Sequence, residues 1–334
     1  MRTIFFFNKG SIKLIFLFFL FSSCSDSSAL ILAENEIIIN NDIEKSQHFY
    51  EKAFKKNANT YISSRHYINS LINYLQLGES NGVELYSKIL QERGAPFSMI
   101  QYLATKNGYQ LVGEEREIYE PKISSKFNLD LRKQIEDMHY LDQKYRIEEN
   151  YDSIDIIDIE NEKKLFNIFE NYGYPSEELV GPWFNGFGIA QNKLNVIILH
   201  LIQKGNKPIL EEIFLQFKSG NIGQLVFTNW ASYGYTQEVV GYDQRVNCGG
   251  GQELVEVDGK LYKYKCDEKS KSQVSNFRKS LGMDSRDLFI KKLVLRRKKG
   301  YFFYENGSYI ASFSIPNDKT QDSILRSILT PLDI

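Results

Sequence analysis

The sequence has almost no net charge and few histidines and cysteines, two of the residue types that hold metal ions. Its formal net charge is -1, which argues against a general nucleic-acid binder, because such a protein needs a basic excess to displace counterions from phosphate. The four histidines show no short-spaced pairing such as HExxH, so we predict no metal site. They are His48, His66, His139 and His200.

Signatures of phosphate cradles and hydrolase elbows are also missing. The run Gly249-Gly250-Gly251 lacks the GxGxxG and GxxxxGK patterns and precedes no evident helix, so we expect a loop or bulge there. The chain contains no GxSxG elbow. We therefore predict no cofactor, and no familiar catalytic motif indicates a reaction.

The N-terminus has the order of a secretory signal, with the basic residues Arg2, Lys9 and Lys13 before an apolar run that ends at Phe21. The next residues complete Phe21-Ser22-Ser23-Cys24, which resembles the lipobox of bacterial lipoproteins, although Phe21 stands where leucine is usual. We expect a signal peptide over residues 1–24 and a lipid such as palmitate on Cys24. An ordinary cleaved signal is the alternative. Both interpretations export the mature chain, and the first places it in the cell envelope, anchored by lipid on the periplasmic or outer surface of a bacterial membrane.

Residues 25–43 show little periodicity and are predicted to be a tether between the membrane and the folded body. A helical region follows over residues 44–119, where apolar residues recur at helical spacing. Gly78 predicts one helix end, and Gly94 with Pro96 predicts another end and a start. Residues 74–79 resemble the helix-turn-helix of tetratricopeptide repeats. Because only one or two units are visible, we expect this region to dock on the second domain, as a groove for a partner peptide or as a helical lid.

A second domain is predicted over residues 127–290, built around the nearly all-apolar helix Leu194–Ile202, which should lie inside the domain and bury His200. It is too short to cross a bilayer. Further helices are predicted over Glu160–Tyr172, with Asp158 or Ile159 at its start, and from Pro208 onward.

An aspartate is predicted on the packing face of another helix in this domain. The stripe Leu131, Ile135, Met138, Asp142 and Tyr145 returns to one side of the helix. A carboxylate there is costly unless it is paired, and the candidate partners are Arg146 one turn later and His139 one turn earlier. Asp142 and Arg146 therefore form either a structural ion pair or part of a site.

A hairpin with a two-residue turn is predicted around Asp258-Gly259. In that register Cys266 faces Gly251, and glycines between Gly251 and Cys248 would allow the bulge that brings the two cysteines within bonding reach. Export permits oxidation, and these two cysteines remain once Cys24 carries lipid. We predict a disulfide between Cys248 and Cys266, with two free thiols as the alternative.

The last segment, residues 291–334, is predicted as a β-hairpin followed by a short helix near residues 322–329. Leu293–Leu295, Tyr301–Tyr304 and Ser308–Ile315 are rich in β-branched and aromatic residues, and Asn306-Gly307 favours a tight turn. The basic run Arg296–Lys299 would be a solvated turn, with contact to anionic lipid as the alternative. The predicted fold class is α+β, mainly α, with a helical-hairpin N-terminal region, a helical core domain and a small antiparallel sheet toward the C-terminus.

Several polar residues of the second domain resemble a bacterial family known only as domain of unknown function 6624. The order and spacing match over about half of the chain. The matching residues are Met138, Asp142, Gln143, Arg146, Asp158, Asn161, residues 172–175, Val180, Gly181, His200, Asp243, Arg245, Gln252 and residues 277–283.

Two departures from that pattern bear on a site. Gln244 separates Asp243 from Arg245, which are adjacent in the family, and the tyrosine-glycine-threonine-glutamine run that usually follows Gln252 is replaced by Glu253-Leu254-Val255. The family has no agreed activity, so the resemblance implies a fold neighbourhood and no reaction.

Two functional hypotheses follow. In the first, the chain is a membrane-anchored binding or structural lipoprotein of the envelope, with an envelope protein as a possible partner and no role for nucleic acid. In the second it is a hydrolase that uses His200 with Asp142, Asp243 and Arg245 in one polar pocket. A meeting of these side chains in one concave pocket favours the second hypothesis, whereas His200 and Asp142 that are packed and satisfied separately argue against it.

Overall fold

The computed structural model describes the chain over these residues: 29–57, 61–111, 126–190, 192–219, 222, 254–257, 259–280, 283–303, 311–313 and 329–332. Helices dominate these ranges, and a small sheet lies toward the C-terminus, so the predicted α+β, mainly α class is confirmed. Within the described ranges, none of the helices is both long enough and apolar enough to span a bilayer.

The helices are numbered in chain order, and the first (α1) covers residues 29–35 and continues as a π-helix over Glu36–Asn40. The others are α2 Ile43–Lys56, α3 Ser64–Leu77, α4 Ser80–Glu92, α5 Phe97–Lys106, α6 Leu129–Ile147, α7 Tyr151–Tyr172, α8 Glu177–Val180, α9 Lys193–Gln203, α10 Lys207–Lys218, α11 Glu268–Ser280 and α12 Arg286–Lys299. The strands are β1 Phe184–Asn185, β2 Gly188–Ile189, β3 Leu254–Val257, β4 Lys260–Tyr264, β5 Ala311–Phe313 and β6 Leu329–Pro331.

An asparagine caps the N-terminus of each of the four helices α6, α7, α9 and α10. The side-chain oxygens of Asn128, Asn150, Asn192 and Asn206 accept hydrogen bonds from backbone N–H groups two or three residues along, at 2.9 to 3.1 Å. These caps satisfy donors that the first helical turn leaves without intrahelical partners. Asn150 explains why α7 begins at Tyr151, nine residues before the predicted start at Glu160.

Helices α1 to α5 surround the first core, and their partner comes from the far end of the chain. Phe289 and Leu293 of α12 and the segment Tyr301–Phe303 are buried in this core. Asn69 of α3 donates to the carbonyl of Phe302 and accepts from its N–H, at 2.8 and 2.6 Å. The region therefore closes chiefly on the C-terminal segment, with lesser contributions from Ile189 and Leu254 of the expected second domain.

The predicted tether is wrong over residues 29–40. Ala33, Ile37 and Ile38 are buried in the first core, and Asn41 ends the segment in the left-handed conformation. The sequence shows no regular helical period here because the helix changes from α to π geometry at Glu36, which shifts the spacing of the buried positions.

The predicted strand character of Leu293–Leu295 in the C-terminal segment is also wrong. Leu293–Leu295 lies within α12, which begins at the Ser285 cap and ends at Gly300, with φ +89°. Buried Phe289, Ile290, Leu293 and Val294 follow helical spacing, and this periodicity outweighs the strand preference of the short apolar run.

Residues 301–303 are likewise not a strand, because the backbone of Phe302 bonds to the Asn69 side chain. The Asn306-Gly307 turn and most of the predicted helix near residues 322–329 lie outside the described residues, and Leu329 belongs to β6.

The basic run Arg296–Lys299 is the last turn of α12 and not a turn between strands, so cations stand at the negative end of the helix dipole. Burial lowers the pKa of Arg296 to about 10, and its guanidinium lies 4.6 Å from the centre of the Phe302 ring. Arg297 forms an ion pair with Glu256 of β3. The run therefore joins α12 to both the core and the sheet.

The hairpin around Asp258-Gly259 is confirmed, because Val257 pairs with Lys260 and Leu254 with Lys263 across a two-residue turn. Strand β6 continues the antiparallel pairing on β4. Strand β5, however, runs parallel to β3, so the order is β5-β3-β4-β6 and the sheet is not purely antiparallel.

A second core is formed by α6, α7, α9 and α10, in which Leu194, Ile197 and Ile198 of the central helix are fully buried. Glu177 links this unit to the first. Its carboxylate accepts hydrogen bonds from the Ser64 N–H and from the hydroxyls of Tyr61 and Ser63, each at 2.7 Å. The carboxylate thus occupies the N-terminus of α3, where a negative charge is favoured.

Candidate functional site

Asp142 is the centre of the candidate site. It lies on the inner stripe of α6 after Leu131, Ile135 and Met138, and 1% of the residue is exposed. The hydrophobic stripe directs the carboxylate into the second unit, so it must find partners within the protein. Both predicted helical neighbours of the stripe, Arg146 and His139, lie on the same helix, but a further contact comes from another helix.

His200 of α9 provides that contact. Its Nδ1 lies 2.9 Å from Asp142 Oδ2 and 3.1 Å from Oδ1. The His200 side chain is 19% exposed, so it is half-buried where burial was predicted. The sequence hypothesis that His200 and Asp142 meet therefore agrees with the geometry, and the ring keeps access to solvent.

Arg146 and Gln143 complete the shell of Asp142, and the predicted Asp142–Arg146 ion pair is present. Arg146 Nε lies 3.1 Å from Asp142 Oδ1, and Gln143 Nε2 lies 2.7 Å from Oδ2. Burial acts to raise the pKa of Asp142, but hydrogen bonds from His200, Arg146 and Gln143 outweigh it and hold the pKa below its usual value. Asp142 is therefore an ionised carboxylate inside the protein.

The ion pairs continue to α7. Arg146 Nη2 lies 2.6 Å from Asp158 Oδ1, and Lys204 Nζ lies 2.6 Å from both Asp158 Oδ2 and Asp155 Oδ1. The carboxylates of Asp142, Asp155 and Asp158 thus share two permanent cations, Arg146 and Lys204. One excess negative charge is left when His200 is neutral. The network holds α6, α7 and α9 together.

Two further polar residues stand close to this network. Burial lowers the pKa of His139, and the nearby Lys193 ammonium acts in the same direction. The Asp142 carboxylate opposes this shift. Asn161, one turn along α7 from Asp158, is buried, and its Nδ2 has no hydrogen-bond partner among the described residues. A buried donor without a partner is costly unless a bound group satisfies it, so Asn161 is a further candidate site residue.

Proton transfer is the chemistry that this arrangement permits. Because Asp142 is ionised, it accepts the hydrogen on Nδ1 of a neutral His200, which leaves Nε2 as the basic nitrogen. The same carboxylate stabilises the ring when Nε2 takes up a proton. Within the described residues, no group of three histidine, cysteine, aspartate or glutamate side chains is arranged to hold a metal ion.

The remaining predicted site residues fall elsewhere. Asp243, Arg245, Cys248 and Cys24 lie outside the described residues, so their contribution stays a prediction. Cys266 is disulfide-bonded. The identity of its partner stays a prediction, because neither of the other two cysteines is among the described residues.

Three members of the network, Asp155, Asp158 and Lys204, were missed as site residues. Asp158, Asn161, Leu165 and Ile168 recur at spacings of three and four residues, so the stripe on α7 shows polar residues on a packing face, as Asp142 does on α6. That signal could have assigned Asp158 to the site. Lys204 follows the end of α9 and carries no comparable signal.

A second pair of histidine and carboxylate lies in the first core. His66 Nδ1 is 3.6 Å from Glu34 Oε1, and Arg65 Nη2 is 3.9 Å from the same oxygen. Burial raises the pKa of Glu34, and burial, with Arg65, lowers the pKa of His66 well below its usual value. These groups lack the access to solvent that a proton-transfer site needs, so we assign them to the core.

Compared with known proteins, the chain matches no family model, no curated protein and no solved structure. The resemblance to domain of unknown function 6624 therefore stays a prediction.

Proposed function

We propose that the protein is an exported, lipid-anchored protein of the bacterial cell envelope in which His200 is the general base and acid of a hydrolytic reaction. The observation that supports the reaction is the contact of 2.9 Å between His200 Nδ1 and the buried Asp142 carboxylate. A partly exposed imidazole oriented by an ionised carboxylate is the usual arrangement for general base catalysis.

Each neighbour has a role in this proposal. Nε2 of His200 takes a proton from water or from a substrate hydroxyl, and Asp142 keeps the ring in the correct tautomer. Arg146 holds Asp142 in place and ties it to Asp158. Asn161 provides a buried donor near Asp158 for a substrate oxygen. Asp243 and Arg245, if they converge here as the sequence predicts, would add a second carboxylate and an anion-binding group.

The envelope location is supported by the sequence alone, through the apolar run and the lipobox-like residues before Cys24. Cys24→Ser should release the protein from membranes or block its processing. The measurements are the mass of the mature chain and its distribution between membrane and soluble fractions. Unchanged mass and unchanged membrane association in this variant would contradict lipid anchoring.

A binding or structural role for the second unit is the other candidate. It is favoured by the ion-pair network itself, because Arg146 and Lys204 already neutralise most of the carboxylate charge and join three helices without any reaction. In that case the protein is an envelope module that recruits another envelope protein, and His200 is one more member of the network.

The experiment that separates these candidates compares His200→Asn with His48→Asn, a matched change at an exposed histidine of α2. Purified full-length protein is tested against a panel of chromogenic esters, amides, phosphate esters and glycosides. We expect the wild type to hydrolyse one class of substrate. The hydrolysis rate should fall by about 100-fold or more in His200→Asn and should not change in His48→Asn. A hydrolysis rate that His200→Asn leaves unchanged, in a variant with unchanged thermal stability, would support the binding role.

A further inference from the structure

The N-terminal helix α1 has an apolar side that is exposed in the part of the chain that the structure describes. Ile31, Leu32 and Ile39 are 54%, 42% and 63% exposed, while Ala33 and Ile37 on the other side are buried in the first core. Single exposed apolar residues are common on protein surfaces. Three on one helix of twelve residues, at the start of the folded body, call for a specific partner.

The change of helix type places two of these residues on the same side. A turn of α-helix takes about 3.6 residues, and a turn of π-helix, with its i to i+5 hydrogen bonds, takes about one residue more. One turn of each type therefore separates Ile31 from Ile39, and their side chains leave the helix in the same direction. Leu32 borders the same side. We call these three residues the outer face of α1.

The distance to the predicted lipid is short. Four residues, Ser25 to Ser28, separate Cys24 from Ala29, and a fully extended chain spans at most about 18 Å between these two α-carbons. If Cys24 carries a lipid, its acyl chains lie in the bilayer and α1 begins within that distance of the membrane surface. The folded body cannot stand away from the membrane on a long tether.

We propose that the outer face of α1 rests on the lipid surface and sets the orientation of the protein on the membrane. This inference depends on the proposed lipid anchor at Cys24. The anchor supplies attachment, and Ile31, Leu32 and Ile39 enter the boundary between headgroups and acyl chains, as the apolar side of an interfacial helix does. The opposite side of α1 holds the first core, so the body is fixed directly above the contact.

The test places a fluorescent side chain on the outer face and on a distant exposed position. Ile39→Trp is compared with Ile147→Trp, because Ile147 is an isoleucine at the end of α6 that is 80% exposed. Both variants are purified as the lipidated full chain and reconstituted in phosphatidylethanolamine and phosphatidylglycerol vesicles with brominated acyl chains. The wild-type protein provides the background of its two native tryptophans.

We expect the brominated lipid to quench the added fluorescence of Ile39→Trp at least about twofold and to leave that of Ile147→Trp unchanged, because brominated chains quench a tryptophan within the depth that an interfacial helix reaches. No quenching at either position, in protein that carries its lipid and floats with the vesicles, would overturn the inference and leave the anchor intact. A dimer abolished by Ile39→Asp would then assign the outer face to a second copy. Equal quenching at both positions would also overturn it. A mature chain without lipid would remove the anchor, and the docking inference with it.

Discussion

The two units of the protein each contain a histidine paired with a carboxylate, and the pairs differ in almost every physical respect. His66 and Glu34 are 3.6 Å apart inside the first core, where burial lowers the pKa of the histidine and raises that of the acid. His200 and Asp142 are 2.9 Å apart, with the histidine partly exposed and the carboxylate buried, and hydrogen bonds hold the pKa of Asp142 below its usual value despite that burial.

The number of donors around the carboxylate explains this difference. Asp142 accepts hydrogen bonds from His200, Arg146 and Gln143, so its charge is stabilised more than burial opposes it. Glu34 Oε1 has ion pairs at 3.6 and 3.9 Å and no hydrogen bond in the described part of the chain, so burial dominates. Residue types alone therefore do not identify a proton-transfer site, and the shell around the acid does.

The largest effect expected is at Asp142. Asp142→Ala leaves Arg146 and His200 without their buried acceptor and should lower the free energy of unfolding by about 3 kcal/mol. Urea denaturation followed by circular dichroism measures it. Asp137→Ala is the matched control on the same helix, because Asp137 pairs with Lys133 on the exposed surface and should change stability by less than about 0.5 kcal/mol. A loss below that level at Asp142 would show that the carboxylate is solvated.

The next prediction concerns the pH dependence contributed by His66. Its folded-state pKa lies below the unfolded value of 6.5, so the unfolded chain binds the proton more readily and stability is lost as the pH falls below 6.5. Relative to His66→Gln, the wild type should lose up to about 1.4 kcal/mol per pH unit until the folded-state pKa is reached. Parallel pH profiles of unfolding for the two proteins would contradict this.

Glu34 acts with the opposite sign, because its pKa is raised above 4.5 in the folded state and its stabilising contribution is lost as the pH rises. Wherever the two titration ranges overlap, the contributions of Glu34 and His66 have opposite signs and offset each other. Asp142, with its lowered pKa, contributes stability that is lost only as the pH falls below 3.8.

A smaller effect is expected where the remote segment closes the first core. The Tyr301 hydroxyl donates to Asn73 Oδ1 at 2.8 Å and accepts from Gln76 Nε2 at 2.7 Å. Tyr301→Phe should cost about 1 kcal/mol, because a buried network loses one member. Tyr151→Phe, at a tyrosine that is 73% exposed, is the control and should have no measurable effect. Equal thermal unfolding of both variants would show that the hydroxyl is dispensable.

The smallest effect is expected at Glu34 itself. Glu34→Gln should change stability by less than about 0.5 kcal/mol at neutral pH, because the amide removes a charge that burial disfavours. The same change at the other acid, Asp142→Asn, should cost about 2 kcal/mol, since Arg146 and His200 lose a charged acceptor. Comparable losses in the two variants, measured by urea denaturation, would remove the distinction between the pairs.

Much of the helical fold follows from local signals in the sequence. Gly78, Gly94 and the Asp258-Gly259 turn mark element ends where the structure has them. Asp142 was recognised as a buried carboxylate because helical spacing alone places it on the packing face. Arg146 followed from the same spacing, one turn later. These predictions succeed because each depends on residues within two or three turns of each other.

Most of the predictions that failed concern contacts between residues far apart in the sequence. The segment 301–303 is shaped by contacts with Asn69 and Asn73, more than two hundred residues earlier. The contact between His200 and Asp142 joins residues 58 positions apart, so spacing could suggest it as a hypothesis and no more. Glu34 was hidden because the π-helix alters the period of the surrounding buried residues.

The closure of the first core by α12 has a consequence for biosynthesis. Helix α5 ends at Lys106 and α12 begins at Arg286, so ribosomes adding about 5 to 20 residues per second need on the order of 10 s to make the intervening chain. Throughout that interval the apolar faces of helices α1 to α5 lack their C-terminal partner, which is α12 with the segment 301–303. For the proposed export this order of synthesis matters, because the first core lacks its closing helix until α12 has been made.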